Sequence, residues 1–477
     1  MREFLLAFSC FLLLGIPSVL LLAPILCICE IFRQFFTICL SIKHRQWIQL
    51  VSNSNTIYLL QKDMPGLILN YFMIFQGSLD LAQMKETIKS KWTDVKKNLR
   101  LRQHVVDSCG YFYWLPDNIF TIDNHVKIYK CKPPTNQNEL DDIFSEISSQ
   151  LLAENISQWL VLLFPLDDAF ANEPRYVMLF RFHHCLGDGY NSTRMLNHCF
   201  LNEKCIKYLP AKTEKSFSFS ALLIGFFYHF KYIVDTLLTK DCNILKGPSQ
   251  TSKRYLTYFI VCSLSRMKTI SNRSGATVND VMVSCVAGAL KKYFCKTNAV
   301  PVSDVHCVVP VSMQSQSEEV GFKNDISVHL LPFSLSEKTA LERLESTRQI
   351  ICKAKNSPNY VLHYNLIKLI MNRLPNQITR HIFRLIDITC YITNVPMQQS
   401  QCFNVYDQEV MVCNLLPPLD GSASLSFLIS SFKGYVQLSV SIDKTIVEKK
   451  YVDFIIESIK EEFQELEKSC ENVIKIT

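Results

Sequence analysis

Residues 4–29 form a run of 26 residues without a charged side chain, and a stretch of that length must be buried in protein, dissolved in lipid or removed. As an α-helix it would measure about 39 Å, more than the roughly 30 Å of a bilayer's hydrocarbon core. It exceeds the apolar region of a typical signal peptide, Arg2 is the only basic side chain before it, and no small-x-small cleavage pattern follows. The reading is an uncleaved membrane anchor ending near residue 45, with a cleaved signal peptide as the alternative. Gly15, Pro17 and Pro24 interrupt the run, and residues 31–42 continue it with Arg33 as their one charge. A tilted span and a re-entrant hairpin both fit that pattern. Lys43, His44 and Arg45 come next, and for a single span such a positive flank predicts that the rest of the chain stays in the cytosol.

The remainder is too long for one core. With 477 residues, 48% of them hydrophobic, two domains are the default. Alternating strand and helix patterns predict an α/β class, divided as residues 1–45 (anchor), 46–210 (N-terminal domain), 211–250 (hydrophobic connector) and 251–477 (C-terminal domain). Residues 79–99 read as a charged amphipathic helix, 176–182 and 255–264 as strands, and 451–467 as a helix. Residues 216–230 carry no formal charge and six aromatic rings and continue apolar to residue 238. They read equally well as an interfacial helix lying at the lipid headgroups or as a buried helix joining the two halves. The net charge of +7 is spread along the chain without a basic block, which excludes nucleic acid as a partner. The 19 cysteines are odd in number and show no paired CxxC spacing, so they read as buried thiols of a reducing compartment.

Residues 181–190 read RFHHCLGDGY. His183, His184, Asp188 and Gly189 complete the pattern HHxxxDG at the end of a strand and before a new apolar segment. An alcohol is a poor nucleophile at neutral pH, and an imidazole can remove its proton as the oxygen attacks. His184 is the expected general base. Asp188 is expected to hold the loop through a salt bridge or backbone hydrogen bonds, and Gly189 to permit close backbone approach. Two adjacent histidines alone are more often structural; the complete pattern after a strand reverses those odds. A zinc site built on His183, His184 and Cys185 lacks ligand spacing and a second cluster, so no metal is expected. Glycosylation triplets stand at Asn155, Asn191 and Asn272, and a glycan on Asn191 would crowd the motif.

Several further segments carry a resemblance. Residues 123–126 in FTIDNHV, which look like a strand before a first long helix, TVNDVMVSCVAGAL with Asn279 and Asp280, PVSMQ at 310–314 followed by Gly321, Asn324 and Ser327, TNVP at 393–396, and NLLPPLDGSASLSF at 414–427 follow the motif's order in one known family. From about residue 57 to its end the chain resembles the bifunctional wax ester synthase/diacylglycerol acyltransferases. These belong to the CoA-dependent acyltransferase superfamily, with chloramphenicol acetyltransferase and peptide-synthetase condensation domains. Thr393, Met397 and Lys323 depart from the family pattern and leave the acceptor open. The resemblance implies two chloramphenicol-acetyltransferase-like domains around a central tunnel, with HHxxxDG at its middle. It implies an enzyme that moves a long acyl group from acyl-CoA to a fatty alcohol or diacylglycerol, with the second histidine as base and no resident cofactor. The mildly basic chain suits both CoA phosphates and anionic lipid. Asn324, Ser327 or a loop amide would bind the oxyanion. Asn279 and Asp280 read equally as a helix cap or as catalytic groups. Membrane lipid is the implied partner, and the endoplasmic reticulum or lipid-droplet surface the implied place. The alternative is a non-catalytic lipid-binding or scaffolding protein that kept the fold.

Overall fold

The computed structural model describes residues 2–51, 54–61, 64–93, 98–170, 173–200, 217–238, 241–246, 253–299, 305–313, 321–333, 335–383, 388–395, 397, 403–405, 408–420 and 422–474. The domain boundaries expected at 210 and 250 lie outside these residues, as do Gln314, Pro396 and Gly421.

The apolar N-terminus is one continuous helical rod of 43 residues, Arg2–His44, with no re-entrant hairpin. It comprises α1 (Arg2–Cys10), a wider π-helical turn (Phe11–Gly15) and α2 (Ile16–His44). Pro17 stands in the first turn after the π-segment, where a missing N–H removes little. Gly15 has room for no side chain: a Cβ there would lie 2.3 Å from the Phe11 ring. At 1.5 Å per residue the rod measures about 65 Å, twice a bilayer core, so only part of it could sit in hydrocarbon. Its second half packs on the protein, with Phe36 and Leu40 covering Ile48, Leu50, Tyr111 and Tyr113. Glu30 is fixed there by Arg33 at 2.7 Å and Arg373 at 3.7 Å.

Among the described residues three sheets follow. The smallest has the order β1 (Gln49–Leu50), β4 (Tyr111–Pro116), β3 (Gln103–Ser108). The N-terminal six-stranded sheet has the order β12 (Asn404–Val405), β13 (Gln408–Leu416), β2 (Ile68–Gln76), β7 (Arg175–His183), β6 (Trp159–Pro165), β5 (Val126–Ile128). The C-terminal one runs β10 (Ile326–Phe333), β9 (Val305–Ser312), β11 (Cys390–Asn394), β14 (Leu425–Phe432), β15 (Tyr435–Asp443), β8 (Arg254–Ser263). In β2 and β7 nearly every residue is buried, because a strand covered on both faces reads as a continuous apolar run instead of alternating. Leu69, Tyr71, Met73 and Phe75 face one core and Phe72 and Ile74 the other. Two strands of the N-terminal sheet come from the C-terminal half: β13 pairs antiparallel with β2, Asn414 opposite Phe72.

Helices close the layers. They are α3 (Ser54–Leu59), α4 (Leu81–Lys91), α5 (Ile122–His125), α6 (Gln137–Ser148), α7 (Gly189–Phe200), α8 (Phe219–Leu238), α9 (Leu264–Ser274), α10 (Val278–Lys296), α11 (Ala340–Asn356), α12 (Asn359–Met371), α13 (Asn376–Phe383) and α14 (Lys449–Ile474). Among the described residues of 79–99 the amphipathic pattern is realised over α4, capped by Asp80. Residues 123–125, expected as strand, form the short helix α5, and strand pairing starts at Val126. The C-terminal helix extends at both ends beyond 451–467. Helix α8 is neither fully exposed nor fully buried. Phe226, Phe227 and Phe230 pack edge-on against Phe11 of the N-terminal rod, while Phe219, Leu223 and Ile224 remain exposed.

Candidate active site

Strand β7 delivers the motif. It ends at His183, residues 184–188 turn, and α7 begins at Gly189. The turn is held from both halves of the chain. The His184 N–H donates to the Leu67 carbonyl at 3.0 Å, and the Asp188 N–H donates to the Lys323 carbonyl at 3.0 Å. Asn324 Nδ2 donates to the His184 carbonyl at 2.6 Å and to Asn55 Oδ1 of α3 at 2.9 Å. The motif thus lies on the seam between the two sheets, but it is covered: His183 is 4% and His184 7% exposed.

The two imidazoles differ in what their nitrogens do. His183 Nδ1 accepts the Cys185 N–H at 3.2 Å, which assigns its neutral proton to Nε2. His184 Nδ1 has no hydrogen-bond partner among the described residues. The ring of His184 lies flat against Tyr58 of α3, with centroids 3.6 Å apart and planes 10° from parallel. Burial pushes His184 down to about 4 and, with His184 beside it, His183 down to about 3. Both rings are therefore neutral at pH 7, the form in which an imidazole can accept a proton.

Asp188 works through hydrogen bonds. Its carboxylate accepts the Asn191 N–H at 2.8 Å, Asn191 Nδ2 at 3.0 Å and the Asp325 N–H at 3.3 Å. Burial nevertheless pushes the carboxyl up to about 6. Asn191 is 1% exposed and its Nδ2 also donates to the Lys323 carbonyl, so the triplet there has no accessible amide for a glycan. A Cβ on Gly189 would lie 3.0 Å from Leu415 and 3.1 Å from Val395; glycine lets the start of α7 press on the TNVP segment.

The other expected residues divide. Asn324 sits in the site, but both its amide protons are engaged by Asn55 and His184. Ser327 donates to the Tyr360 carbonyl at 2.6 Å. Neither is a free donor for an oxyanion. Of Asn279 and Asp280, the second takes part in the helix cap. Thr277 is the N-cap of α10 and Asp280 its reciprocal partner, with the Thr277 N–H donating to Asp280 Oδ2 at 2.8 Å, while Asn279 reaches Asn394 of the TNVP segment at 3.5 Å. Of the departures, Lys323 acts through its backbone carbonyl, and Met397 is buried beside Thr193 of α7 with its sulfur 3.7 Å from the hydroxyl. Tyr58, Asn55 and Asp325 carried no periodicity or motif signal in the sequence.

Comparison with known proteins finds one family in both halves of the chain. The model of the wax ester synthase/diacylglycerol acyltransferase catalytic domain matches residues 74–218, and that of the WS/DGAT C-terminal domain matches residues 322–467. The O-acyltransferase WSD of Acinetobacter baylyi is 22% identical over 328 residues, covering 60% of this chain and 68% of that protein. Wax ester synthase/diacylglycerol acyltransferase 8 of Arabidopsis thaliana is 22% identical over 415 residues, covering 73% and 83%. Among solved structures, the wax ester synthase/diacylglycerol acyltransferase from Marinobacter aquaeolei VT8 superposes with a TM-score of 0.64 at 18% identity, over 89% of this chain and all of that one. The trichothecene 15-O-acetyltransferase TRI3 of Fusarium sporotrichioides gives 0.59 at 11%, over 87% and 95%.

Proposed function

Since the chain belongs to the wax ester synthase/diacylglycerol acyltransferase family and is an acyl-CoA-dependent O-acyltransferase, we propose that it is a membrane-bound enzyme that esterifies a fatty alcohol or diacylglycerol with a long-chain acyl group. The observation that carries the reading is the His184 imidazole, kept neutral by burial on a turn held from both halves of the chain. His184 takes the acceptor's hydroxyl proton as that oxygen attacks the thioester carbonyl. The tetrahedral oxyanion collapses, the C–S bond breaks, the ester forms, and the CoA thiolate leaves with the proton that His184 returns. Proton transfer of this kind is worth about 100- to 10,000-fold, and holding the two substrates together more.

With Asn324 and Ser327 engaged, the oxyanion falls to a loop amide. The amides of His184, Cys185, Leu186 and Asp188 are also engaged, which points to Gly187 or Gly189. His183 supports the turn and Asp188 braces it without touching substrate.

Attachment to a membrane, at the endoplasmic reticulum or a lipid-droplet surface with the catalytic sheets cytosolic, is supported by the exposed apolar rod and by its aromatic packing on α8. That packing favours a retained anchor over a cleaved signal, because removing α1 would uncover Phe227. A non-catalytic scaffold has no use for an intact HHxxxDG turn.

The test offers labelled palmitoyl-CoA to membranes carrying the wild type or His184→Ala, with either hexadecanol or diacylglycerol. The expected outcome is ester formation that falls by about two orders of magnitude or more in the variant, with expression and membrane attachment unchanged. No ester with either acceptor from folded wild type would overturn the reading.

A further inference from the structure

A second buried polar feature lies away from the motif, between α8 and α12. His229 of α8 is 4% exposed, and neither of its ring nitrogens has a hydrogen-bond partner among the described residues. His363 of α12 faces it edge to face, centroids 5.8 Å apart, and its Nδ1 is likewise buried without a partner. Buried polar groups are normally satisfied by protein or water, so three unpartnered nitrogens on two rings in edge-to-face contact indicate that something else completes them.

The surroundings define the missing group. Tyr232 stacks beside His229, its hydroxyl taken by the Leu330 N–H at 3.2 Å. A metal is a poor fit, since no group of three His, Cys, Asp or Glu side chains is assembled among the described residues. An anion is a poor fit as well: Lys231 pairs with Asp235 and Lys368 with the Tyr364 hydroxyl, and burial keeps both imidazoles uncharged. Neutral imidazoles suit an uncharged oxygen, a hydroxyl or an ester carbonyl.

Position narrows the source. Helix α8 packs on the apolar N-terminal rod through Phe226, Phe227 and Phe230. Helix α12 reaches the motif in the other direction: the Tyr364 hydroxyl, one residue past His363, donates to Asp325 at 2.8 Å, and the Asp325 N–H donates to Asp188. We propose that His229 and His363 form a binding site for the glycerol or ester oxygens of a neutral lipid entering from the membrane side on its way to His184. This rests on the acyltransferase reading for its use, but not for its detection.

The probe is a diacylglycerol with a diazirine next to the glycerol, offered to full-length protein in lipid nanodiscs. The His184→Ala background keeps it from being consumed. Labelling of α8 and α12 peptides is expected, and His229→Leu or His363→Leu should each lower it about fivefold, the worth of one neutral hydrogen bond. His229→Gln, which keeps a donor, should restore part of it. With His184 intact, the same Leu variants should raise KM for diacylglycerol and leave KM for palmitoyl-CoA unchanged. Labelling that is absent from these helices, or is untouched in Leu variants that melt like the wild type, would overturn the site and leave a water-filled core pair. Where a Leu variant fails to fold, the Gln variant decides by the same labelling. Labelling without ester formation in the wild type would remove the proposed function and keep the site.

Discussion

His184 meets Tyr58 plane to plane at 3.6 Å, and that contact does two things to a general base. It fixes the ring plane, so the lone pair points one way, and it keeps water from one face, which adds to the desolvation that holds the group at about 4. A base active only when neutral gives kcat/KM that rises with pH through about 4 and is flat through neutrality. Tyr58→Phe retains the stack and should keep that profile. Tyr58→Ala admits water, moves the acid limb up towards the ordinary histidine value near 6.5, and lowers kcat more than it changes KM for acyl-CoA. An unmoved acid limb in Tyr58→Ala would show that the stack does not set the base. The histidines, Asp188 and Gly189 were legible because a contiguous turn writes its chemistry in contiguous letters. Tyr58 was not, because it reaches the motif from 126 positions away along the chain, in a short helix without amphipathic period. Ser327 shows the opposite case, a hydroxyl already engaged by a local hydrogen bond, while the cap reading of the Asn279–Asp280 segment holds for Asp280, which closes the capping box with Thr277.

Among the elements, α10 is the best example of sequence determining packing. Its VMVSCVAGAL core is buried on all sides, and Gly288 lies against the buried ion pair of Arg343 with Glu462, which meet at 2.6 Å. A Cβ there would stand 2.3 Å from Glu462 Oε2 and 2.8 Å from Arg343 Nε. Gly288→Ala gains helix propensity worth about 1 kcal/mol but must displace a buried pair whose disruption costs about 3 to 5 kcal/mol. The net expectation is a loss of about 2 to 4 kcal/mol, read as a lower denaturation midpoint with catalysis per folded molecule unchanged; a midpoint at or above wild type would refute the close packing. The N-terminal rod was legible as an apolar stretch, but its continuity was not. Gly15, Pro17 and Pro24 look like breaks until the π-helical turn is seen to absorb the first two. Helix α8 divided the two sequence readings along its surface, since Phe226, Phe227 and Phe230 pack on Phe11 and His229 on α12, while Phe219, Leu223 and Ile224 are bare.

At the scale of the whole molecule the two halves are joined by exchange, and this was the least legible part. The sequence of β13 reads as an ordinary strand of the C-terminal half, yet it pairs with β2, because partner choice depends on tertiary geometry and not on local pattern. Arg254 fastens the same seam: its buried guanidinium donates to the carbonyls of Pro65, Gly66 and Ser148, next to the Leu67 carbonyl that holds His184. Burial at and around this seam also sets the pH dependence of stability. His183, His184, His229 and His363 are all held at about 3 to 4, below their ordinary 6.5. The unfolded chain therefore takes up protons below 6.5 while the folded one does not, and the stability these groups contribute, full above 6.5, is lost as pH falls towards 4. Asp188 and Asp141 act in the opposite sense. Each is raised to about 6, so its contribution is full below the ordinary 3.8 and lost as pH rises through 6. Four histidines outweigh two carboxyls, so on going from pH 7.5 to 5 the melting temperature should fall by about 5 °C or more. The double variant His229→Leu, His363→Leu should flatten that slope by about three-quarters, since the two remaining histidines are then largely offset by the two carboxyls. A melting temperature that is constant or rises on acidification would mean that the imidazoles are charged in the folded protein, and a charged His184 could not serve as the base.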